Sequence, residues 1–345
     1  MSDRAPPARQ YAAAGVDLAA LDQAKRRIGA AVASTRTALS RGQVGAFGGM
    51  IRVPDGYRQP VLVMSTDSVG TKVLVARMAG VFSTVGEDIV NHSVDDILVH
   101  GAQPIAFQDY IGANGLTEAN LADLVEGVAR GCRAHDMALT GGETASLPDL
   151  YQPGDYDLAG TIVGVVEESS ALHGDRIKAG DVLVGYQSTG LHTNGYSLAR
   201  RILFDRLKLS IDAELRETGT TVADALLAVH RSYYRALVPV LDRMHGIAHI
   251  TGGGIGGNLV RVLPPGHEAV IDSASWTWPP LFTLLMHGGQ VSLAEMRDVF
   301  NLGMGLVVAV DRRDVEPVRA AAEVAGTPTW IAGEIRAGPR GVRFT

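Results

Sequence analysis

The run Pro60-Val61-Leu62-Val63-Met64 stops abruptly at Ser65-Thr66-Asp67-Ser68-Val69-Gly70-Thr71-Lys72. A short apolar, β-branched run of this kind predicts a strand that delivers a polar site at its end. Asp67 can hold a divalent cation, Gly70 permits close backbone approach to an anion, and Lys72 offers a point charge to phosphate. These are the parts ATP chemistry needs. The common phosphate loop ends in Gly-Lys-Ser/Thr, and the chain contains no Gly-Lys dipeptide. An ATP site here therefore requires a different architecture.

Around that strand the chain alternates strand-like and helix-like segments throughout. Helices are expected over 17–41, 84–101, 117–135, 196–205 and about 222–244. Strands are expected over 60–66, 104–110, 157–167, 182–186, 247–250, 268–272 and, last, 304–310. Alternation on this scale predicts an α/β chain with α+β layers in both halves. At 345 residues, two domains are expected. The turn Lys178-Ala179-Gly180-Asp181, after a break near 169, places the boundary between residues 1–170 and 171–345.

A net charge of −6 with 20% charged residues gives no support to a nucleic-acid or membrane partner. The single cysteine, Cys132, excludes an intrachain disulfide and a cysteine metal cluster. Residues 1–10 carry Arg4, Pro6, Pro7 and Arg9 without an apolar core, so no signal peptide is expected. A frayed terminus and a cytoplasmic location are. The 41 glycines cluster in loops.

Four further constellations carry chemistry. Asp95 and Asp96 lie well past the first turn of the 84–101 helix, where adjacent acids oppose the helix dipole. A cation relieves that repulsion, and His92 sits one turn earlier on the same face. Magnesium on nucleotide phosphates wants such oxygens; an exposed polar face is the lesser alternative. Gly141-Gly142-Glu143-Thr144 is expected as a glycine loop after a short strand. Thr189 to Ser197 links a strand to a helix, with His192 placed to meet an anion or move a proton. His249-Ile-Thr-Gly-Gly-Gly-Ile-Gly-Gly-Asn258 contains G-x-G-x-x-G, with Asp272 about twenty residues on. Pro264-Pro265 stop the following helix after about two turns, which argues against a dinucleotide unit and for a second glycine loop facing a phosphate or the backbone of the first domain.

In this order, the segments resemble the phosphoribosylformylglycinamidine cyclo-ligase (AIR synthetase) family. The resemblance rests on Tyr11–Asp17, Gly45–Gly48, Thr66–Lys72, Val94–Ile97, Gly141–Ala145, Tyr156–Gly160, His192–Ser197, Thr251–Gly254 and Phe300-Asn301. It implies an ATP-dependent ligase of purine biosynthesis, a ribonucleotide substrate, and magnesium, with a potassium requirement left open. It also implies a homodimer whose first domains, 1–170, bind ATP and pair their strands into a closed β-barrel. A C-terminal domain, 171–345, packs a sheet with helices.

By position, the resemblance assigns Asp67 and Asp96 to the metal. Asp67, Gly70, Thr71, Lys72, Gly141, Gly142 and Thr144 would bind ATP. His192, Thr193, Asn194, Gly252, Gly253 and Gly254 would face the ribonucleotide. Lys72, Glu143 and His192 would be catalytic. The chain departs from the family pattern at Ser68 (usually Gly), Asp95 (usually Asn), Ser146 (usually Glu) and Asp149 (usually Gly), and has Gly29 where a lysine is expected. Asp95 is expected to add negative charge beside the metal ligand. A non-catalytic nucleotide-binding paralogue and a thiamine-monophosphate kinase-like enzyme are the alternative readings.

Overall fold

The computed structural model describes residues 18–43 and 45–345; the expected frayed start and the Tyr11–Asp17 motif lie outside the described residues. Helix α1 (Leu18–Ser34) is followed by the two-residue strands β1 (Ser40–Arg41) and β2 (Met50–Ile51), then by β3 (Pro60–Ser68). Helices α2 (Lys72–Ala79) and α3 (Ser83–Leu98) come next. β4 (Gln103–Ala113), α4 (Glu118–Ala134), β5 (Ala138–Ser146) and β6 (Tyr156–Glu167) complete the first layer. Thr117 caps α4: its hydroxyl accepts from Asn120 N while Asn120 Oδ1 accepts from Thr117 N, which fixes the start that the pattern predicts.

The first sheet has the order β3-β6-β4-β5, with β4 and β5 parallel and the other pairs antiparallel. Its register aligns Asp67 with Gly160, Gly160 with Asp109, and Asp109 with Gly142. Side chains alternate across the pleat. Val63, Ser65 and Asp67 therefore turn toward α3, while Leu62, Met64 and Thr66 turn outward with Tyr110 and are exposed.

The second sheet has the order β10-β12-β7-β13-β11-β14. Its strands are β7 (Val182–Gln187), β10 (Met244–His249), β11 (His267–Ile271), β12 (Met304–Val310), β13 (Thr329–Ala337) and β14 (Gly341–Phe344). A small ladder of β8 (Glu214–Leu215) and β9 (Thr220–Thr221) sits apart. The helices are α5 (Tyr196–Arg200), α6 (Val222–Leu227), α7 (Tyr234–Leu237), α8 (Gly254–Val262), α9 (Pro280–Gly289), α10 (Leu293–Val299) and α11 (Val315–Val324). β12 is buried along its whole length, as its unbroken apolar run requires.

Several expectations are corrected. The first helix ends at Ser34 instead of continuing to 41, because the chain turns through Thr35 and Thr37 into β1. The expected helix over 222–244 is broken between Leu227 and Tyr234. Buried polar groups of the first domain capture that backbone. Lys72 Nζ donates to Ala228 O, Asn91 Nδ2 to His230 O, and the Asp88 and Asp95 carboxylates accept from His230 N and Tyr233 N. These bonds replace the helical ones, so no helix forms from residue 228 to 233. The Gly141–Ala145 segment is no loop: it continues β5, paired with Gln108–Gly112. Strands β13 and β14 follow the run expected to be last; Gly333 interrupts the apolar pattern of β13.

Candidate active site

A cleft of about 480 Å³ opens where β3 and α3 of the first layer face β10 and α8 of the second. Asp67 and Asp96 stand on one wall; Thr251, Asn258 and Arg261 stand on the other. Asp67 arrives at the end of β3, and Asp96 from the far half of α3, across from it. His92, one turn before Asp96, joins them: its Nε2 lies 2.8 Å from Asp67 Oδ2 and 3.5 Å from Asp96 Oδ2. Ser65 Oγ donates to Asp96 Oδ2 at 3.1 Å, and His249 Nδ1 lies 2.9 Å from Asp96 Oδ1.

The electrostatics follow from this geometry. Burial alone would raise the Asp96 carboxyl, but hydrogen bonds and charge from His249 and His92 outweigh it and hold it far below the usual range. Asp67 is likewise lowered against its burial, by His92 and by Ser68 N–H, which donates to Oδ1 at 2.6 Å. His92 is nearly buried, which disfavours its charge, yet Asp67 and Asp96 raise its pKa to about 10. Two ionised carboxylates thus flank an imidazolium at the cleft floor.

Asp95 does not add the expected charge. It is wholly buried, its Oδ1 accepts from Tyr233 N at 2.9 Å, and burial pushes its pKa well above the carboxylate range. The departure at this position is used in docking the 228–233 segment.

Lys72 also differs from expectation. Its ammonium is wholly buried, 2.7 Å from Asp88 Oδ2, and donates to His192 O and Ala228 O. With three protein acceptors and no exposure, it ties the two domains together and presents no charge to the cleft. His192 is buried too, at φ 60°, and its ring stacks on His230 at 3.9 Å between centroids. Its Nε2 accepts from Thr189 N; burial first, then the charge of neighbouring groups, keeps it neutral. Instead of facing a phosphate, the His192 ring fills the domain junction.

Other predicted residues do converge. Thr193 Oγ1 lies 2.7 Å from His92 Nδ1, and Asn194 Oδ1 lies against Gly252, 3.3 Å from where a Cβ would sit. Asn258 Nδ2 donates to Thr251 O, Gly252 O and Gly254 O, clamping the glycine loop at the start of α8. Gly70 turns at φ 61°, and Thr71 Oγ1 meets Ser197 Oγ at 3.2 Å.

Gly141, Gly142, Glu143 and Thr144 are not brought to this cleft. They lie on β5, three strands from β3, about 14 Å away at the usual strand spacing. Glu143 is exposed and its Oε1 accepts from Thr144 N. Gly142 leaves room for the buried Asp109, whose Oδ1 would sit 2.2 Å from an added Cβ; burial raises Asp109 to about 7.

Sequence reasoning missed the roles of His230, His249 and Arg261. Only His249 carried a local signal, at the end of β10 just before the glycine loop.

The family models for AIR synthase related proteins match the chain in two parts, the N-terminal domain over residues 45–166 and the C-terminal domain over 178–344. A phosphoribosylformylglycinamidine cyclo-ligase of Sorangium cellulosum is 45% identical over 330 residues, covering 94% of each chain. One of Symbiobacterium thermophilum is 46% identical over 341 residues, 96% of this chain and 97% of the relative. Among solved structures, thiamine-monophosphate kinase from Stenotrophomonas maltophilia superposes with a TM-score of 0.68 at 17% identity, over 95% of this chain and 96% of that one. The hydrogenase maturation protein HypE in complex with ATP gives 0.61 at 16%, over 93% and 90%. At that identity these two likenesses establish a shared fold. On the full-length sequence matches, the chain belongs to the phosphoribosylformylglycinamidine cyclo-ligase family.

Proposed function

We propose that the chain closes the imidazole ring of aminoimidazole ribonucleotide from formylglycinamidine ribonucleotide, with ATP converted to ADP and phosphate. The observation that carries this reading is the ionised pair Asp67 and Asp96, set across one cleft from a clamped glycine loop, within a chain that cyclo-ligases match over 94% and 96% of its length. In the reaction the ATP γ-phosphoryl group passes to the substrate's formyl oxygen. The substrate's own nitrogen then attacks that carbon, and phosphate leaves with the oxygen. Such chemistry asks the protein for positioning and charge neutralisation.

Asp67 and Asp96 fit magnesium: both are oxygen donors, ionised, and partly open to the cleft. Bound there with ATP, magnesium would neutralise phosphate charge. The backbone of Gly70 and Thr71 would approach the nucleotide, and Thr193, Asn194 and the Gly252–Gly254 loop would face the ribonucleotide phosphate at the start of α8. Lys72 and His192 then act as positioning residues, holding the 189–195 and 228–233 segments in place. We take residues 1–170 as the ATP-binding and dimerisation domain and 171–345 as the second domain. The outward face of the first sheet, with Leu62, Met64 and Tyr110 exposed, supports pairing of two copies through that face into a closed barrel. Gly141–Thr144 would then border the partner, where ATP contacts expected of Glu143 would be made. No helix among the described residues is long and apolar enough to cross a membrane, which is compatible with work in the cytoplasm on small molecules.

The test is an assay of the full chain with ATP, magnesium and formylglycinamidine ribonucleotide, following ADP and the imidazole product. Stoichiometric release of both is expected. ATP binding without ADP release at saturating substrate would instead identify a non-catalytic paralogue. Exchanging potassium for sodium in the same assay settles the monovalent requirement.

A further inference from the structure

Behind the carboxylate pair lies a cluster that the ring-closing reading does not use. His92, His230 and His249 come from α3, the captured segment and the end of β10. Their ring centroids form a nearly equilateral triangle, 5.2, 5.0 and 5.2 Å on a side, with edge-to-face tilts of 74°, 65° and 65°. All three are buried. Each directs a ring nitrogen to within 4.8 Å of the others.

We propose that His92, His230 and His249 form a binding site for one zinc-class divalent transition-metal ion, separate in chemistry from the oxygen site of Asp67 and Asp96. Four features of the geometry carry this. First, His230 Nε2 and His249 Nε2 face each other at 3.2 Å. Nitrogens bound tetrahedrally at about 2.0–2.1 Å from zinc stand about 3.3–3.4 Å apart. Second, the far nitrogens of these rings are held from behind. His249 Nδ1 meets Asp96 Oδ1 at 2.9 Å and His230 Nδ1 meets Thr193 Oγ1 at 3.4 Å. Ligating histidines are usually oriented in this way.

Third, the wholly buried Asp95 leaves Oδ2 without a hydrogen bond, 3.5 Å from His230 Nε2. An acceptor left open beside the His230 ring favours a cation there, and a water entering from the cleft would complete the shell. Fourth, His92 and His249 line the cleft, so an ion has a way in. His92 is bonded at both nitrogens, to Asp67 and to Thr193; on ligation it gives up one of these bonds and releases its second ring proton to solvent. Three imidazoles select zinc, cobalt, nickel or copper over magnesium.

The experiment uses the untagged full chain, stripped with a chelator and titrated with Co²⁺ while magnesium is kept in large excess. One equivalent of Co²⁺ per chain is expected, with the intense visible bands of a four-coordinate site and a rise in Tm of several degrees. His230→Asn should weaken Co²⁺ binding at least about 100-fold and remove the bands. Because His230 lies in the domain junction, the wild-type chain gives an independent readout. Zinc-edge X-ray absorption should show imidazole nitrogens at about 2.0 Å. An oxygen-only shell, absence of stoichiometric Co²⁺ uptake by the wild type, or unchanged bands in a folded His230→Asn chain would each overturn the proposal.

Discussion

The Lys72 ammonium lies 2.7 Å from the Asp88 carboxylate, and neither side chain has any exposure to solvent. The pair is not isolated: Lys72 also donates to His192 O and Ala228 O, and Asp88 Oδ1 accepts from His230 N at 2.7 Å. A charge pair buried with its hydrogen bonds filled acts as a joint between the two domains. Removing one partner strands the other. We expect Lys72→Met to cost about 3–5 kcal/mol of stability, with Lys72→Met/Asp88→Leu recovering part of that loss. Urea unfolding of the wild type, Lys72→Met and the double variant checks this; a stable Lys72→Met chain that has lost only ATP binding would return Lys72 to the nucleotide.

The cluster at the cleft floor predicts a pH dependence. His92 has its folded pKa raised from 6.5 to about 10. Its contribution is therefore complete below pH 6.5 and is lost as pH rises toward 10. Asp67 and Asp96, lowered from 3.8, contribute above that value and lose their contribution in acid. His92→Gln should thus flatten the fall in Tm between pH 6.5 and 10. Parallel Tm curves for wild type and variant across that window would contradict the assignment.

Two glycines of α8, one at its start and one inside it, should behave oppositely. Gly254 has φ 61°, and a Cβ there would lie 1.8 Å from Arg297 O. Gly257, inside α8, has nothing within 4 Å. Gly254→Ala should destabilise by about 1–3 kcal/mol and raise the KM for the ribonucleotide, whereas Gly257→Ala should stabilise by up to about 1 kcal/mol. Equal Tm values for the two variants would mean that the loop is not set by this packing.

Asp96 reaches the cleft while receiving Ser65 and His249. Asp96→Asn keeps most of that shape and removes the charge. Turnover should fall by at least about 10–100-fold, with a matching rise in the magnesium needed for half activity. An unaltered magnesium titration would remove Asp96 from the metal.

Met64 is 67% exposed on the outward face of the first sheet, in line with the exposed Leu62. If two copies pair through this face, Met64→Glu should move the sedimentation coefficient from dimer to monomer at micromolar concentration. A wild-type monomer, or a Met64→Glu dimer, would place the interface elsewhere.

The sequence by itself determined the local elements with one strong pattern. β3 with its polar end, α3, α4, β6 and β7 were legible because apolar spacing and turn residues act within a few positions. It also singled out Asp67 at a strand end, Asp95 and Asp96 as an acidic pair on a helix, and Thr251–Gly254 as a glycine loop, since acids past a first turn and clustered glycines carry their own physical signature; joining Asp67 to Asp96 came only from the family resemblance.

Only the tertiary structure decided what those residues touch. Lys72 reads as a phosphate ligand beside Gly70, yet packing buries it against Asp88. Asp95 reads as a second metal charge, yet burial neutralises it against Tyr233 N. The apolar periodicity over 222–244 reads as one helix, yet α3 offers Asp88, Asn91 and Asp95 to its backbone and breaks it. His92 and His249 reach Asp96 together from positions 153 residues apart for the longer link. Hydrogen-bond partners and burial are properties of the folded surroundings, and no spacing along the chain encodes them. The opening motif thus fixed where a strand would end, while the fold assigned Asp67 to the cleft and Lys72 to the joint behind it.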